Sequence, residues 1–339
     1  LQVLSGLWYG VGKNLLNSGV MMLFLNKYAI GKIDQEVIQT AVEKAYQLVL
    51  SQQYNTPDRM HVIDNQNTLL LMPCFSEKFF AAKLVSVFPE ARQHGQPAVN
   101  GVMVLSDNVS GQPLAIMDGA AITAQRTGAV GGLGVKLLTA DSIDTAGILG
   151  AGVQGLSQAR YLLFNRSIKT LYIYDLSREA VMGMINTLKK EFADLEYVAA
   201  KTPNQLVADS KVIIAATTSK TPLFEASPDN LFGKTFISIG SFRPDMQEFP
   251  NTVIENADDI FVDTMFATKE SGDIAIPLKD HVIAKDRVKE FAGLLGKNET
   301  FENKIIFFKS VGMALFDLTT AAAIYQQAME KNMGQILDF

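Results

Sequence analysis

The stretch Thr145-Ala-Gly-Ile-Leu-Gly150-Ala-Gly152-Val153-Gln154-Gly155 constrains this chain more than any other part of it. A short apolar run leads into G-x-G-x-x-G, and a helical pattern through Ala159 and Leu163 follows at once. That order is strand, tight turn, helix. The first glycine permits the turn, the second lets the backbone approach a pyrophosphate, and the third lets helix and strand pack closely. The phosphates then meet the positive N-terminus of the helix. Asp175 closes the next strand pattern, about where a carboxylate accepts hydrogen bonds from an adenosine ribose. Its alternative role is a turn residue ahead of the following helix. An acid there repels a 2′-phosphate, so NAD is expected ahead of NADP, and Arg178 would soften that preference by pairing with a phosphate. A Walker A loop is excluded because Leu156-Ser157 follows Gly155 in place of Lys-Ser/Thr.

The surrounding rhythm fits the same reading. After about residue 140, strand patterns at Thr145–Leu149, Thr170–Tyr174, Val212–Thr217, Thr235–Ile239 and Asp259–Val262 alternate with helical ones near Val153–Phe164 and Arg178–Phe192. Such alternation predicts an α/β, doubly wound, Rossmann-type parallel sheet. Upstream, a helix over 34–50 precedes strands at Thr68–Phe75, Ala81–Phe88, Val99–Leu105 and Pro113–Met117, a largely antiparallel α+β layer. A final helix over Ser310–Lys331 is long enough to return to that layer. A length of 339 residues suits two such domains.

Composition removes several classes. Apolar residues make up 48% and charged ones 19%, which excludes disorder. With 30 basic and 35 acidic residues the net charge is −5, and no basic run marks nucleic acid or an anionic membrane as a partner. No stretch is apolar for about 18 residues, so a cytoplasmic protein is expected. The single cysteine, Cys74, forbids an intrachain disulfide; a buried apolar role is weighed above a catalytic thiol. Residues 1–21 read as a leader or an expression remnant, because Met21-Met22 immediately precede the first strand-like pattern at Leu23-Phe24-Leu25.

Two cations stand where cations are costly. On a helix over Ile122–Leu138, Arg126 shares a stripe with Val130, Leu133 and Leu137, and Gly119–Thr139 contains no acid. Lys83, in Ala81-Ala-Lys-Leu-Val-Ser-Val87, is flanked on both alternating faces by apolar residues, as in a strand covered on both sides. A distant acid or a ligand must supply the missing charge. Both together, beside a dinucleotide domain, favour an anionic substrate: arginine grips a carboxylate with two prongs and lysine supplies a movable proton. That reading requires the pair to await a negatively charged guest; neutralisation of both by the protein's own acids removes its basis. Arg59, in Thr56-Pro-Asp-Arg59, is a weaker third cation, with a solvated loop position as its alternative. No catalytic metal is expected, since His61, His94 and His281 make no ligand spacing, and Gly155-Leu-Ser157-Gln-Ala159 misses the nucleophile elbow.

Taken in order, Leu71-Met-Pro73, Ala82-Lys83-Leu-Val-Ser86, Gly111-Gln-Pro-Leu-Ala115, Ile122-Thr-Ala-Gln-Arg126-Thr127, Gly150-Ala-Gly-Val-Gln154 and Phe308-Lys-Ser310-Val-Gly312 resemble the ornithine cyclodeaminase/μ-crystallin family from about residue 22 to the end. The resemblance implies a Rossmann domain (140–305) inserted into a substrate-binding and dimerisation domain (22–139 with 306–339), in a homodimer. It implies hydride transfer between nicotinamide and the α-carbon of a small imino or amino acid. Arg59 and Arg126 correspond to carboxylate-binding arginines and Lys83 to the essential active-site lysine. Thr127 and Gln154 fall near the cofactor, with Gly150, Gly152, Val153 and Asp175. Thr217 and Gly240, at the ends of two later strands, are assigned to it as well.

Two positions depart from the cyclodeaminase pattern, because Leu70 and Phe242 stand where that activity is associated with acids. The expected function is therefore an NAD(P)-dependent cyclic imino-acid reductase or amino-acid dehydrogenase. The alternatives are an ornithine cyclodeaminase forming proline and ammonia, and a non-catalytic μ-crystallin-like binder of a nucleotide and a small carboxylate. Asp263 is weighed as a helix N-cap ahead of a substrate contact.

Overall fold

The computed structural model describes residues 21–338, which build two sheets. The first has seven strands in the order Gln335–Asp338, Met21–Leu25, Pro113–Asp118, Val99–Asp107, Phe79–Val87, Asn67–Phe75 and Met60–Asp64. All its pairings are antiparallel except that of Met21–Leu25 with Pro113–Asp118. The second has eight strands, all parallel, in the order Val288–Glu290, Asp259–Val262, Ile306–Lys309, Thr235–Ser238, Val212–Ala215, Thr145–Leu149, Thr170–Tyr174 and Glu196–Ala199. Its strands are apolar runs because helices cover both faces. The direction of travel reverses between Thr145–Leu149 and Val212–Ala215, the switch point at which such sheets open a crevice.

One boundary needs correction. Ile306–Lys309 is an interior strand of the parallel sheet, wedged between Asp259–Val262 and Thr235–Ser238, whereas the sequence division put it with the substrate layer. Its run Ile-Phe-Phe-Lys is fully buried, which suits a sheet interior. The expected leader 1–21 lies outside the described residues except for Met21, which already pairs with Asp338.

Helices Gly119–Leu138 and Ala314–Glu330 pack against the mixed sheet, Gln35–Ser51 packs on both of them, and Gly119–Leu138 also packs along Val153–Asn165. The helix starts ahead of Ile122 because the Asp118 carboxylate caps the Ala121 N–H. Its glycines permit the approach to the dinucleotide helix: a Cβ on Gly132 would come within 2.7 Å of Tyr161 Cβ, and side chains at Gly128 and Gly131 would overlap Ser157 and Gln158. Two hydrogen bonds lock the pair, from Ser157 Oγ to the Ala124 carbonyl at 2.6 Å and from Gln158 Nε2 to that of Thr127 at 2.8 Å. One continuous apolar core holds residues of both sheets, including Leu23, Met117, Ile148 and Ile237.

The Phe79–Val87 strand is covered on one face only. Lys83 points inward in a row with Met72, Met103 and Met117, while Leu84 on the opposite face is 42% exposed.

Candidate functional site

Several of the residues singled out from sequence lie at the carboxyl ends of the parallel strands. Gly150 follows Thr145–Leu149, Asp175 follows Thr170–Tyr174, Thr217 and Gly240 follow the two strands beyond the switch point, and Ser310–Gly312 follow Ile306–Lys309. Ligands of open α/β sheets bind along this edge.

At the switch point, Gly150 has φ +102°, a left-handed value that glycine adopts without strain. A side chain at Gly152 would point into open space, and Gly152 begins the Val153–Asn165 helix without any side-chain cap. The first-turn N–H groups of that helix are thus left for an anion. Val153, at its first position, is 72% exposed. Asp175 bridges two backbone segments, accepting from Ala151 N at 2.8 Å and Ser177 N at 2.9 Å, so it fixes the glycine loop as well as the turn. Arg178 is exposed and donates to the Ala199 carbonyl. Two buried polar atoms nearby, Gln154 Oε1 and Thr127 Oγ1, have no partner among the described residues. Buried orphans of this kind mark places where a missing group belongs. The loop, the uncapped helix and the orphans together fit a dinucleotide.

Sequence reasoning missed the carboxylate beneath this crevice. Glu248 is fully buried and gathers both loops beyond the switch point. One oxygen accepts from Thr217 N and Oγ1 at 2.6 and 2.8 Å, the other from Gly240 N and Ser241 N at 2.8 and 3.1 Å. Asp273 in turn holds Glu248 N, while Ser238 Oγ donates to Asp273 and accepts from Lys309 Nζ. Burial, reinforced by Asp273, pushes the Glu248 carboxyl up, and burial pushes the Lys309 ammonium down.

The second cluster joins the two layers. Sequence alone offers no counter-ion for Lys83 and Arg126; the structure supplies one acid for both. Asp317, fully buried on the Ala314–Glu330 helix, lies 2.7 Å from Lys83 Nζ and 3.1 Å from Arg126 Nε. The expectation of two bare cations is therefore overturned, since a distant acid reaches them. One carboxylate facing two cations still leaves a surplus positive charge in an apolar setting. Burial opposes ionisation of Asp317, yet Lys83 and Arg126 hold its carboxyl below the usual value. Burial lowers the Lys83 ammonium to about 8 against the pull of Asp317, with Arg126 and Arg59 adding to the lowering. Desolvation is the leading cause, ahead of the neighbouring cations. Lys83 also donates to Thr123 Oγ1 at 3.2 Å.

Gly312 links this cluster to the parallel sheet. Its φ is +72°, and a side chain there would strike the Arg126 guanidinium. Its carbonyl accepts from Arg59 Nη2 at 2.6 Å, and its N–H donates to Asp263 at 2.6 Å. Asp263 is neither a helix N-cap nor open to a substrate. It is fully buried, and its Oδ2 holds the Ser310-Val311-Gly312 turn through Ser310 Oγ and the two backbone N–H groups. Arg59 is no solvated loop residue: its side chain is 13% exposed and pairs with Glu270 at 3.2 Å. A cavity of about 230 Å³ opens beside it, lined by Arg59, Met72, Thr264, Phe266, Gly312 and Met313 among others. Cys74 is buried, and burial pushes its thiol up to about 12, which suits an apolar filler rather than a nucleophile.

A doubly wound sheet with a glycine-loop crevice, set against a mixed sheet that buries a lysine and an arginine, defines a two-layer dinucleotide-binding α/β protein. The chain belongs to the ornithine cyclodeaminase/mu-crystallin family, whose model matches residues 24–332. It is 32% identical over 283 residues to a Delta(1)-pyrroline-2-carboxylate reductase of Bacillus cereus, covering 81% of this chain and 86% of the relative. Its structure resembles that of Thermococcus litoralis Delta(1)-pyrroline-2-carboxylate reductase, solved in complex with NADH and L-proline, at TM-score 0.86 and 30% identity over 93% of this chain and 99% of the other. An archaeal alanine dehydrogenase dimer with bound NAD is similar at TM-score 0.86 and 25% identity, over 94% and 99% of the two chains.

Proposed function

We propose that this chain is an NAD-dependent reductase of small cyclic imino acids, with Δ1-pyrroline-2-carboxylate as the substrate to test first. The observation that carries the reading is the surplus positive charge of the Lys83–Asp317–Arg126 cluster, joined through Gly312 to the carboxyl edge of a dinucleotide-type sheet. The B. cereus and T. litoralis relatives support the choice of substrate.

In this reading Arg126 and Arg59 hold the substrate carboxylate, which fixes the imine carbon in one orientation. Bound NADH supplies a hydride. Lys83 delivers a proton to the imine nitrogen, a transfer favoured near neutral pH by an ammonium lowered to about 8. Atoms balance: the C=N bond gains one hydride at carbon and one proton at nitrogen, giving the cyclic amino acid. Gly152, the uncapped Val153–Asn165 helix, Gln154 and Thr127 take the pyrophosphate side of the cofactor. Asp175 disfavours a 2′-phosphate, hence NAD over NADP.

The same reading makes the protein a cytoplasmic homodimer. Its surface is the outer face of the mixed sheet, where Leu71, Leu84 and Val102 lie in register beside a second row of Pro73, Ala82, Val104, Ile116 and Phe24. An apolar sheet face of this extent is a place for a second chain. The single cysteine suits a reducing compartment.

The test is loss of NADH absorbance with pyrroline-2-carboxylate and with piperideine-2-carboxylate. Consumption of NADH with formation of the cyclic amino acid is the expected result. Ammonia and proline from ornithine with catalytic NAD would make the protein a cyclodeaminase instead. Nucleotide binding without turnover of any imino or amino acid would leave only a binder.

A further inference from the structure

Arg59 does not wait empty-handed. Its Nε faces Glu270 Oε1 at 3.2 Å, its Nη2 donates to the Val311 and Gly312 carbonyls, and its Nη1 makes no hydrogen bond among the described residues. A carboxylate gripped in two-pronged fashion needs two of these N–H groups side by side. Glu270 already places one carboxylate oxygen against the guanidinium. It is 8% exposed, and its second oxygen is buried with no partner among the described residues.

We propose that Glu270 governs carboxylate binding at Arg59, and that an anionic substrate enters this site together with one proton that Glu270 takes up. The inference rests on the function proposed above and adds to it a residue that sets substrate affinity. Two carboxylates beside one guanidinium in a poorly hydrated pocket repel each other, and the cheapest relief is protonation of the one that is already poorly solvated. The charges facing Glu270 come from every side. Asp58, Arg59 and His61 lie on the segment entering the mixed sheet, with His61 Nε2 3.8 Å away; Asp263 and Lys309 lie at the ends of two parallel strands. Burial raises the Glu270 carboxyl to about 7, Arg59 and Lys309 oppose that, and Asp263 and Asp58 add to it. Burial and Arg59 lower the His61 imidazolium, which weakens it as a charged partner for the carboxylate. Adding a substrate anion shifts Glu270 further toward its neutral form. The protonated acid keeps an oxygen to accept from Arg59 Nε, so the guanidinium stays oriented while the repulsion disappears.

The experiment measures calorimetric binding of pyrrole-2-carboxylate, a planar carboxylate that cannot be reduced, to the NAD-loaded protein. At pH 7.5, in phosphate and in Tris, wild-type binding should take up most of one proton, and affinity should fall about tenfold per pH unit above 7. Glu270→Gln mimics the protonated acid. It should bind the same anion with little proton uptake and, at pH 8.5, more tightly than wild type. Absence of proton uptake in wild type, unchanged uptake in Glu270→Gln, weaker binding of that variant at pH 8.5, or no binding of the anion at all would overturn the proposal. Proton-linked binding without turnover of pyrroline-2-carboxylate would leave this inference standing while removing the reductase reading.

Discussion

The carboxylate of Asp317 lies 2.7 Å from the ammonium of Lys83 although 234 positions separate them in the chain. The return of the Ala314–Glu330 helix onto the mixed sheet makes that meeting possible, and the chemistry proposed for Lys83 depends on it. Asp317 keeps Lys83 protonated against burial while leaving its ammonium far more acidic than a surface lysine.

If Lys83 is the proton donor, Lys83→Met should lower turnover by about 10²–10⁴-fold while NADH binding, followed by fluorescence, stays within twofold of wild type. In wild type, the rate of imine reduction should decline above pH 8 as the ammonium is lost. The same group makes stability rise with pH. Between about 8 and the ordinary lysine value of about 10.4, the unfolded chain holds more protons than the folded one, so unfolding becomes harder as pH increases through that window. Lys83→Met should make this rise shallower in urea titrations, with the buried Lys234 and Lys309, whose ammonium groups burial also lowers, supplying what remains.

Removing Asp317 strands two buried cations. Asp317→Asn should cost about 3–5 kcal/mol in denaturant unfolding at pH 7. Because the folded Asp317 carboxyl lies below its ordinary value, its contribution is complete above about pH 4 and is lost as pH falls through the folded value. The variant should therefore lose less stability than wild type on acidification from pH 5 to pH 2.5. Equal stability of the two proteins at pH 7 would mean the cluster is not buried as described.

Glu248 binds Thr217, Gly240 and Ser241 through their backbone N–H groups, so Glu248→Ala leaves buried donors without acceptors. At about 1–3 kcal/mol for a donor left unsatisfied, the variant should lose at least about 2 kcal/mol of stability. If both loops hold the cofactor as proposed, NADH affinity should fall by about an order of magnitude as well. A stability loss with unchanged NADH affinity would assign Glu248 to the scaffold alone.

Leu84 sits in the centre of the open sheet face, so Leu84→Arg places a charge where a second chain is proposed to pack. Light scattering should show monomer in place of dimer, with the circular dichroism spectrum retained. A dimer that survives the change would move the interface elsewhere.

Much of the parallel sheet could be read directly from the chain. Thr145–Leu149, Thr170–Tyr174 and Asp259–Val262 run as expected because fully buried strands are short apolar runs bounded by turn residues. Met60–Asp64 escaped notice because every residue of this edge strand is exposed and carries no alternation. Ile306–Lys309 is absent from the strands expected from sequence, and chain order does not reveal between which strands a late segment inserts. The two cations were legible through their apolar neighbours. The same reasoning reaches Asp317, the sole acid between Ala314 and Met329 on a helix whose inward face holds Leu318 and Ala321. Its partnership with Lys83 and Arg126 was not legible, because only the fold brings three distant segments together. Glu248 stands in the polar segment Asp245-Met-Gln-Glu248, where an acid resembles any solvated loop residue.

The glycines along Gly119–Leu138 limit how this protein can be remade. The rod that carries Arg126 and Thr127 has no room for bulkier side chains where it meets Ser157, Gln158 and Tyr161. A directed-evolution library aimed at new guests would waste its diversity there. Mutations at Thr264 and Phe266, half-buried on the cavity wall, change the shape of the chamber without unseating the rod.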